Sequence, residues 1–236
     1  MISKAQIKLV RSLQQKNFRD AYGYFVAEGD TCIDELKKRF ELVLLVNSDN
    51  ATPTEIAQMS AMRTPQGSIA VFKQIHTPYS ISERSEQSIL LCLDGIQDPG
   101  NLGTIIRTAD WFGVRDIVCS PETADCYNPK VVQATMGALA RVRVHYTDLV
   151  TWLSNLQSVK IFGTLLDGKD IYETLSDSQP CIVVMGNEGN GISQPVRKFI
   201  THPIRIPAYP KDAETSESLN VAIATAITLA EFRRPK

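Results

Sequence analysis

Apolar residues follow two rhythms along this chain, and the change falls near residue 89. In the first stretch, Ile2, Leu9, Val10 and Leu13 sit at helical spacing among basic residues. Tyr24-Phe25-Val26 predicts a strand, residues 31–40 a helix, Leu42–Val46 a clear strand, residues 53–61 a helix and residues 69–72 a closing strand. Residues 1–75 therefore form a small α/β unit. Residues 76–88, rich in Ser and Glu with Pro78, lack apolar periodicity and predict a linker. From residue 89 onward, short apolar runs at 89–93, 117–119, 161–166, 181–185 and 204–206 alternate with predicted helices at 102–112, 129–139, 149–156 and 218–233. Such runs suit strands buried on both faces of a parallel sheet. The last helix places Leu219, Ile223, Ala226, Ile227 and Ala230 on one face, where small residues permit close packing against another helix, including one from a second subunit.

Composition narrows the picture only in places. With 236 residues and a net charge of -1, the chain can bury a sizeable core and carries no global positive field. The charge is unevenly spread: residues 1–19 hold Lys4, Lys8, Arg11, Lys16 and Arg19 and no acidic residue. That basic face suits phosphates, although a solvated amphipathic helix explains the charge equally well. Five cysteines without a C-x-x-C pair read as reduced core residues. The three histidines lack ligand-like spacing, so no metal is expected. The polar N-terminus and the lack of a long apolar stretch predict a cytoplasmic protein with no membrane partner.

Three segments carry the candidate chemistry, each just after an apolar run, where α/β sheets bind their ligands. In Asp98-Pro-Gly-Asn-Leu-Gly-Thr-Ile-Ile-Arg107, Asn101 and Gly103 open a helix whose free N–H groups suit an anion, and Arg107 shares a face with Gly103. A surface ion pair accounts for Arg107 as readily as a ligand does. Met185-Gly-Asn-Glu-Gly-Asn-Gly191 packs three glycines around Glu188, which suits positive φ or backbone lying against a ligand, with a plain turn as the alternative. The third comprises Ile206-Pro207 and Ser218-Leu-Asn-Val221. Ser218 or Ser216 serves there as a helix N-cap, which leaves Asn220 among apolar residues unexplained.

In order and spacing, these segments resemble the three motifs of the SpoU (TrmH-like) RNA ribose 2'-O-methyltransferases of the SPOUT superfamily. Asn101, Gly103 and Arg107 match the first motif; Gly186, Glu188 and Gly191 the second; Ile206, Pro207 and Ser218 to Val221 the third. Residues 1–75 resemble the L30e-like substrate-binding domain through Lys8 to Leu13, Phe25-Val-Ala-Glu-Gly29 and Gln66-Gly67-Ser-Ile-Ala-Val-Phe72. The resemblance implies an α/β fold: a SPOUT-type trefoil-knotted domain at 89–236 with a mostly parallel sheet, preceded by the L30e-like domain.

It implies S-adenosylmethionine as cofactor, held by Thr164, Leu165, Gly186, Ile206 and Leu219. It further implies a homodimer with a shared active site, and catalysis by Asn101, Arg107, Glu188, Ser218 and Asn220. Because a guanidinium is essentially always protonated, positioning the ribose or binding phosphate suits Arg107 better than proton abstraction. The substrate expected is ribosomal RNA, with transfer RNA as the alternative. The segment 208–217 is longer than the family's usual loop, and Ala222 stands where a serine is common. A non-catalytic RNA-binding module and a Rossmann-type nucleotide enzyme are the other readings. The intact motif residues weigh against the first, and the lack of a G-x-G-x-x-G after a strand weighs against the second.

Overall fold

A computed structural model of the chain describes residues 1–76, 89–174, 181–210 and 218–234. Apart from His76, the expected linker lies outside the described residues, as do Ser216 and positions 211–217 of the long loop. The chain divides into two compact units, Met1–His76 with Asp125–Arg141, and Thr77–Ala124 with Val142–Lys236. Residues 125–141 thus pack with the first unit, whereas a division of the sequence at 89 assigns them to the second.

The first unit runs α1 (Lys4–Ser12), α2 (Lys16–Tyr22), β1 (Tyr24–Glu28), α3 (Asp30–Leu36), β2 (Leu42–Val46), α4 (Pro53–Met59) and β3 (Ile69–Lys73). Local signals set its helix ends. Ser3 and Gln6 form a reciprocal capping box on α1, and Thr52 and Glu55 form another on α4, with Pro53 in its first turn. Gly23, at φ 66°, closes α2 in the left-handed conformation. The strands pair antiparallel in the order β1-β3-β2. One face buries Val10, Leu13, Val26, Val46, Ile56, Met59, Ile69 and Val71.

The excursion 125–141 brings in α6 (Pro129–Thr135), which packs on β1. Tyr127 sets its ring 4.8 Å from that of Phe25, tilted by 33°, and its hydroxyl donates to the Ile75 carbonyl at 2.8 Å. Burial and the adjacent Cys126 push that phenol well above the usual tyrosine range. Arg19 completes the attachment. It is 1% exposed, and its Nε and Nη2 donate to Asp125 at 3.0 and 2.7 Å while Nη1 donates to the Leu13 and Gln14 carbonyls. Arg19 is therefore withdrawn as an RNA contact: its guanidinium makes four hydrogen bonds inside the unit, and a buried guanidinium presents nothing to a phosphate.

In the second unit β4 (Ile89–Asp94), β5 (Asp116–Cys119), β6 (Arg143–Tyr146), β7 (Lys160–Asp170), β8 (Cys181–Gly186) and β9 (His202–Arg205) form one sheet, order β6-β5-β4-β8-β7-β9, with every pairing parallel. The apolar runs fill its centre, since β4 and β8 are buried along their whole length. The helices are α5 (Pro99–Trp111), α7 (Leu149–Ser154), α8 (Ile171–Thr174), α9 (Gln194–Arg197) and α10 (Val221–Phe232). The pattern of the sequence does not predict β6, because Arg143 and His145 interrupt its apolar positions. Both bond to Asp116 on the neighbouring strand, Arg143 at 2.7 and 2.8 Å and His145 at 3.0 Å. The register of β7 against β9 breaks between Thr164 and Lys169, turning residues 165–168 out of the regular ladder. All five cysteines are buried.

Candidate active site

The first motif segment starts where β4 leaves the sheet. Asp94, 9% exposed, accepts a 2.7 Å bond from the Ser193 amide and so ties the end of β4 to the residue preceding α9. Asp98 caps α5, its carboxylate accepting from the Asn101 amide at 2.8 Å, with Pro99 as the first helical residue. A carboxylate thus occupies the α5 N-terminus, where free N–H groups for an anion were expected. Arg107 stands on the exposed face of α5, and among the described residues it has no hydrogen-bond or ion-pair partner. The surface ion pair that competed with a ligand role is not formed there.

The glycine segment follows β8. A Cβ on Gly186 would lie 2.2 Å from the main chain of Gly191, and Gly191 itself has φ 66°. These glycines are required by the protein's own backbone, which folds over itself there. Asn187 holds the turn: its side-chain oxygen accepts from the Gly189 and Asn190 amides at 2.9 and 3.1 Å, and its Nδ2 donates to the Gly95 carbonyl at 2.8 Å. Neither Asp94 nor Asn187 was singled out from the sequence. An Asn directly after a strand, two residues before a glycine, is the turn signal that points to the latter.

Glu188, at the tip, accepts a short hydrogen bond from the side-chain Nδ2 of Asn101. Asn101 in turn accepts from Asn220 Nδ2 at 2.9 Å. Asn220 is also the N-cap of α10, its Oδ1 accepting from the Ala222 and Ile223 amides at 3.0 and 3.3 Å. The cap is therefore Asn220, with the helix starting at Val221, and not Ser218; Ser216 lies outside the described residues. This dual use accounts for a polar residue among apolar ones. One side chain starts the helix and joins a Glu188–Asn101–Asn220 network drawn from all three motifs.

A cavity of about 1090 Å³ opens beside this network. All five residues expected to hold the cofactor, Thr164, Leu165, Gly186, Ile206 and Leu219, line it, as do Glu188 and Ser218. Asn101 and Asn220 reach it through Glu188, and Arg107 is not among its lining residues. Apolar walls from Leu165, Val221 and Ile227, with Thr164, Glu188 and Ser218 as polar points, suit a ligand that is part apolar ring and part charged chain. In the first unit, Lys4, Lys8 and Arg11 are exposed along α1, whereas Lys16 pairs with Asp20 at 2.7 Å.

The match to known proteins follows these elements. The SpoU rRNA Methylase family model covers residues 88–230. This chain belongs to that family. The MRM3-like substrate binding domain matches residues 4–77. Among curated relatives, the 23S rRNA (guanosine(2553)-2'-O)-methyltransferase RlmP of Bacillus subtilis is 28% identical over 241 residues, covering 97% of this chain and 96% of its own length. The 23S rRNA (guanosine-2'-O-)-methyltransferase RlmB of Neisseria meningitidis is 34% identical over 167 residues, 69% of this chain and 64% of that protein. A putative RNA methyltransferase of the TrmH family from Porphyromonas gingivalis superposes with TM-score 0.86 at 38% identity, over 99% of this chain and 98% of that one. The AdoMet-bound rRNA methyltransferase from Sinorhizobium meliloti does so with TM-score 0.87 at 30% identity, over 99% and 95%.

Proposed function

We propose that this SpoU-family chain methylates a ribose 2'-hydroxyl in ribosomal RNA, with S-adenosylmethionine as methyl donor. The observation that carries the reading is the joining of Glu188, Asn101 and Asn220, one residue from each motif, beside a cavity lined by every residue expected to hold the donor. The relatives named for 23S rRNA 2'-O-methylation, one aligned along nearly its whole length, support the substrate class, and the AdoMet-bound neighbour supports the cofactor.

Bound S-adenosylmethionine supplies an electrophilic methyl group on a sulfonium. The chain's own residues do the rest. Leu165, Gly186, Ile206 and Leu219 enclose the donor, while Glu188, held by Asn101, and Ser218 orient the ribose, so that alignment lowers the barrier. Arg107, always charged, binds the phosphate beside the target ribose.

The enzyme works in the cytoplasm as a homodimer, and the domain at 89–236 carries the trefoil knot of its superfamily. Two observations support the dimer. Arg107 is exposed and without a partner among the described residues, yet outside the cavity of its own chain, as expected if it serves the cavity of a second subunit. Trp111 on α5 and Ile223 on α10, helices that pack together, are 85% and 53% exposed, and such an apolar surface suits burial by another copy. The domain at 1–75 delivers the RNA, with Lys4, Lys8, Arg11 and Lys16 meeting phosphates.

Arg107→Ala is the direct test. Methyl transfer to rRNA from cells lacking the gene should fall by about 100-fold or more, the scale for losing a preorganised charge at a reacting centre, while binding of radiolabelled S-adenosylmethionine is retained. Normal turnover by this variant would overturn the assignment. Light scattering, together with mixing Arg107→Ala and Gly186→Ala chains to regain activity, tests the shared site.

A further inference from the structure

The cavity has a second set of lining residues that the family motifs do not use. Leu166, Tyr172 and Tyr209 are 75%, 49% and 94% exposed, large apolar side chains gathered around one opening. Single exposed apolar residues are ordinary, but several around one cavity mark a binding surface. Leu166 is turned outward by the break in β7, and the Arg205 side chain donates to its carbonyl at 3.5 Å. The neighbouring Asp167 is ion-paired with Arg197, which fixes this loop against α9. Tyr172 is the second residue of α8, its amide donating to the Asp170 carboxylate at 2.9 Å. Tyr209 lies four residues beyond the end of β9, in the segment where this chain departs from its family.

Two phenol rings and an exposed guanidinium on one rim are the parts that recognise unpaired nucleic acid, with rings for the base faces and Arg for ring or phosphate. The exposure of Tyr209 places it outward of the enclosed walls at Gly186 and Ile206. The geometry points to this rim as a stacking site for an unpaired base of the RNA substrate, at or beside the methylated nucleotide, with Tyr209 as the main platform and Arg205 meeting the adjoining backbone. This deepens the reading of the cavity as a 2'-O-methylation site and rests on it. Glu188 and Ser218 line the same cavity, so a nucleotide whose ribose reaches them brings its base toward the rim.

The test uses the full chain carrying Tyr209→Ala, with Tyr209→Phe as the ring-preserving control and Tyr172→Ala beside them. Three quantities are measured: the dissociation constant of radiolabelled S-adenosylmethionine, the KM and kcat for rRNA from cells lacking the gene, and the affinity for a labelled single-stranded oligoadenylate. Tyr209→Ala should raise the KM for rRNA and weaken oligoadenylate binding about tenfold, within the range of one base–aromatic stack. The donor's dissociation constant should stay put, and Tyr209→Phe should restore both RNA readouts. Unchanged RNA affinity overturns the proposal. So does a weakened donor affinity with unchanged RNA affinity, since the ring then serves the donor's adenine. If the wild-type chain methylates no rRNA, the proposed activity fails on its own, and the oligoadenylate comparison still reads out Tyr209.

Discussion

The two units put polar residues to opposite uses. In the first, the most conspicuous sequence feature is a run of basic residues, and one of them, Arg19, turns out to be a buried fastener for Asp125. In the second, the polar residues picked out after strand ends converge: Asn101, Glu188 and Asn220 bond to one another across three motifs. A charge on an amphipathic helix can face solvent, a ligand or the core, and spacing alone does not choose among them. An Asn or Glu set among glycines at the end of a buried strand has few places to go, because the surrounding backbone is already committed.

The largest expected effect tests the structural side of this contrast. Arg19→Ala leaves Asp125 without its partner and removes the donors to Leu13 and Gln14. It should cost about 3–5 kcal/mol, the scale for breaking a buried ion pair, and lower hydrogen-exchange protection over residues 125–141. If stability is unchanged and RNA binding weakens instead, Arg19 belongs with the phosphate contacts after all.

Gly186→Ala probes the other unit. Its Cβ would meet the Gly191 main chain at 2.2 Å, so the turn that carries Glu188 must shift. A loss of about 1–3 kcal/mol from overpacking is expected, with a larger loss of S-adenosylmethionine binding by calorimetry. Normal donor affinity would mean that the crossing of Gly186 and Gly191 does not shape the cavity.

Replacing Lys4, Lys8 and Arg11 together by Ala sharpens the contrast within the first unit, since these stay exposed where Arg19 does not. The slope of log RNA affinity against log salt should fall by about 2, roughly 0.7 per phosphate contact, with the melting temperature little changed. An unaltered slope would assign the basic face of α1 to solvent.

The smallest effect concerns Asp116. Partial burial raises its carboxyl pKa, but the hydrogen bonds from His145 and Arg143 outweigh that and hold it below the usual carboxylate range. The stabilisation is present above the unfolded pKa, about pH 4, and is lost as pH falls through the lower folded value. Asp116→Asn should therefore be less stable than the native chain near neutrality, and the gap should narrow under acid. Denaturant melts across that range check it, and a gap that widened under acid would contradict the cause given.

Much of the fold was legible because burial writes a pattern. The runs at β4, β5 and β8 and the strand at Leu42–Val46 stand where apolar periodicity put them, whereas α5, expected over 102–112, begins three residues earlier at Pro99, under the Asp98 cap. β6 was hidden because Arg143 and His145 break its apolar pattern, and they are tolerated in the sheet only because Asp116 lies opposite. The end of α10 was misplaced by three residues since Ser218 and Asn220 are both good caps, and the bond to Asn101 favours Asn220.

By itself the sequence determined which segments are strands and helices, where backbone must turn tightly, and which residue types could do the chemistry, for these depend on neighbours within a few positions. Tertiary structure alone decided that residues 125–141 join the first unit and that Arg19 is fastened rather than offered. It also decided that Asn220 serves a helix and Asn101 at once, and that Arg107 stands outside the cavity it was expected to serve. Each of these turns on a partner about a hundred residues away or on a surface that folding leaves open, and no local pattern records a contact at that separation.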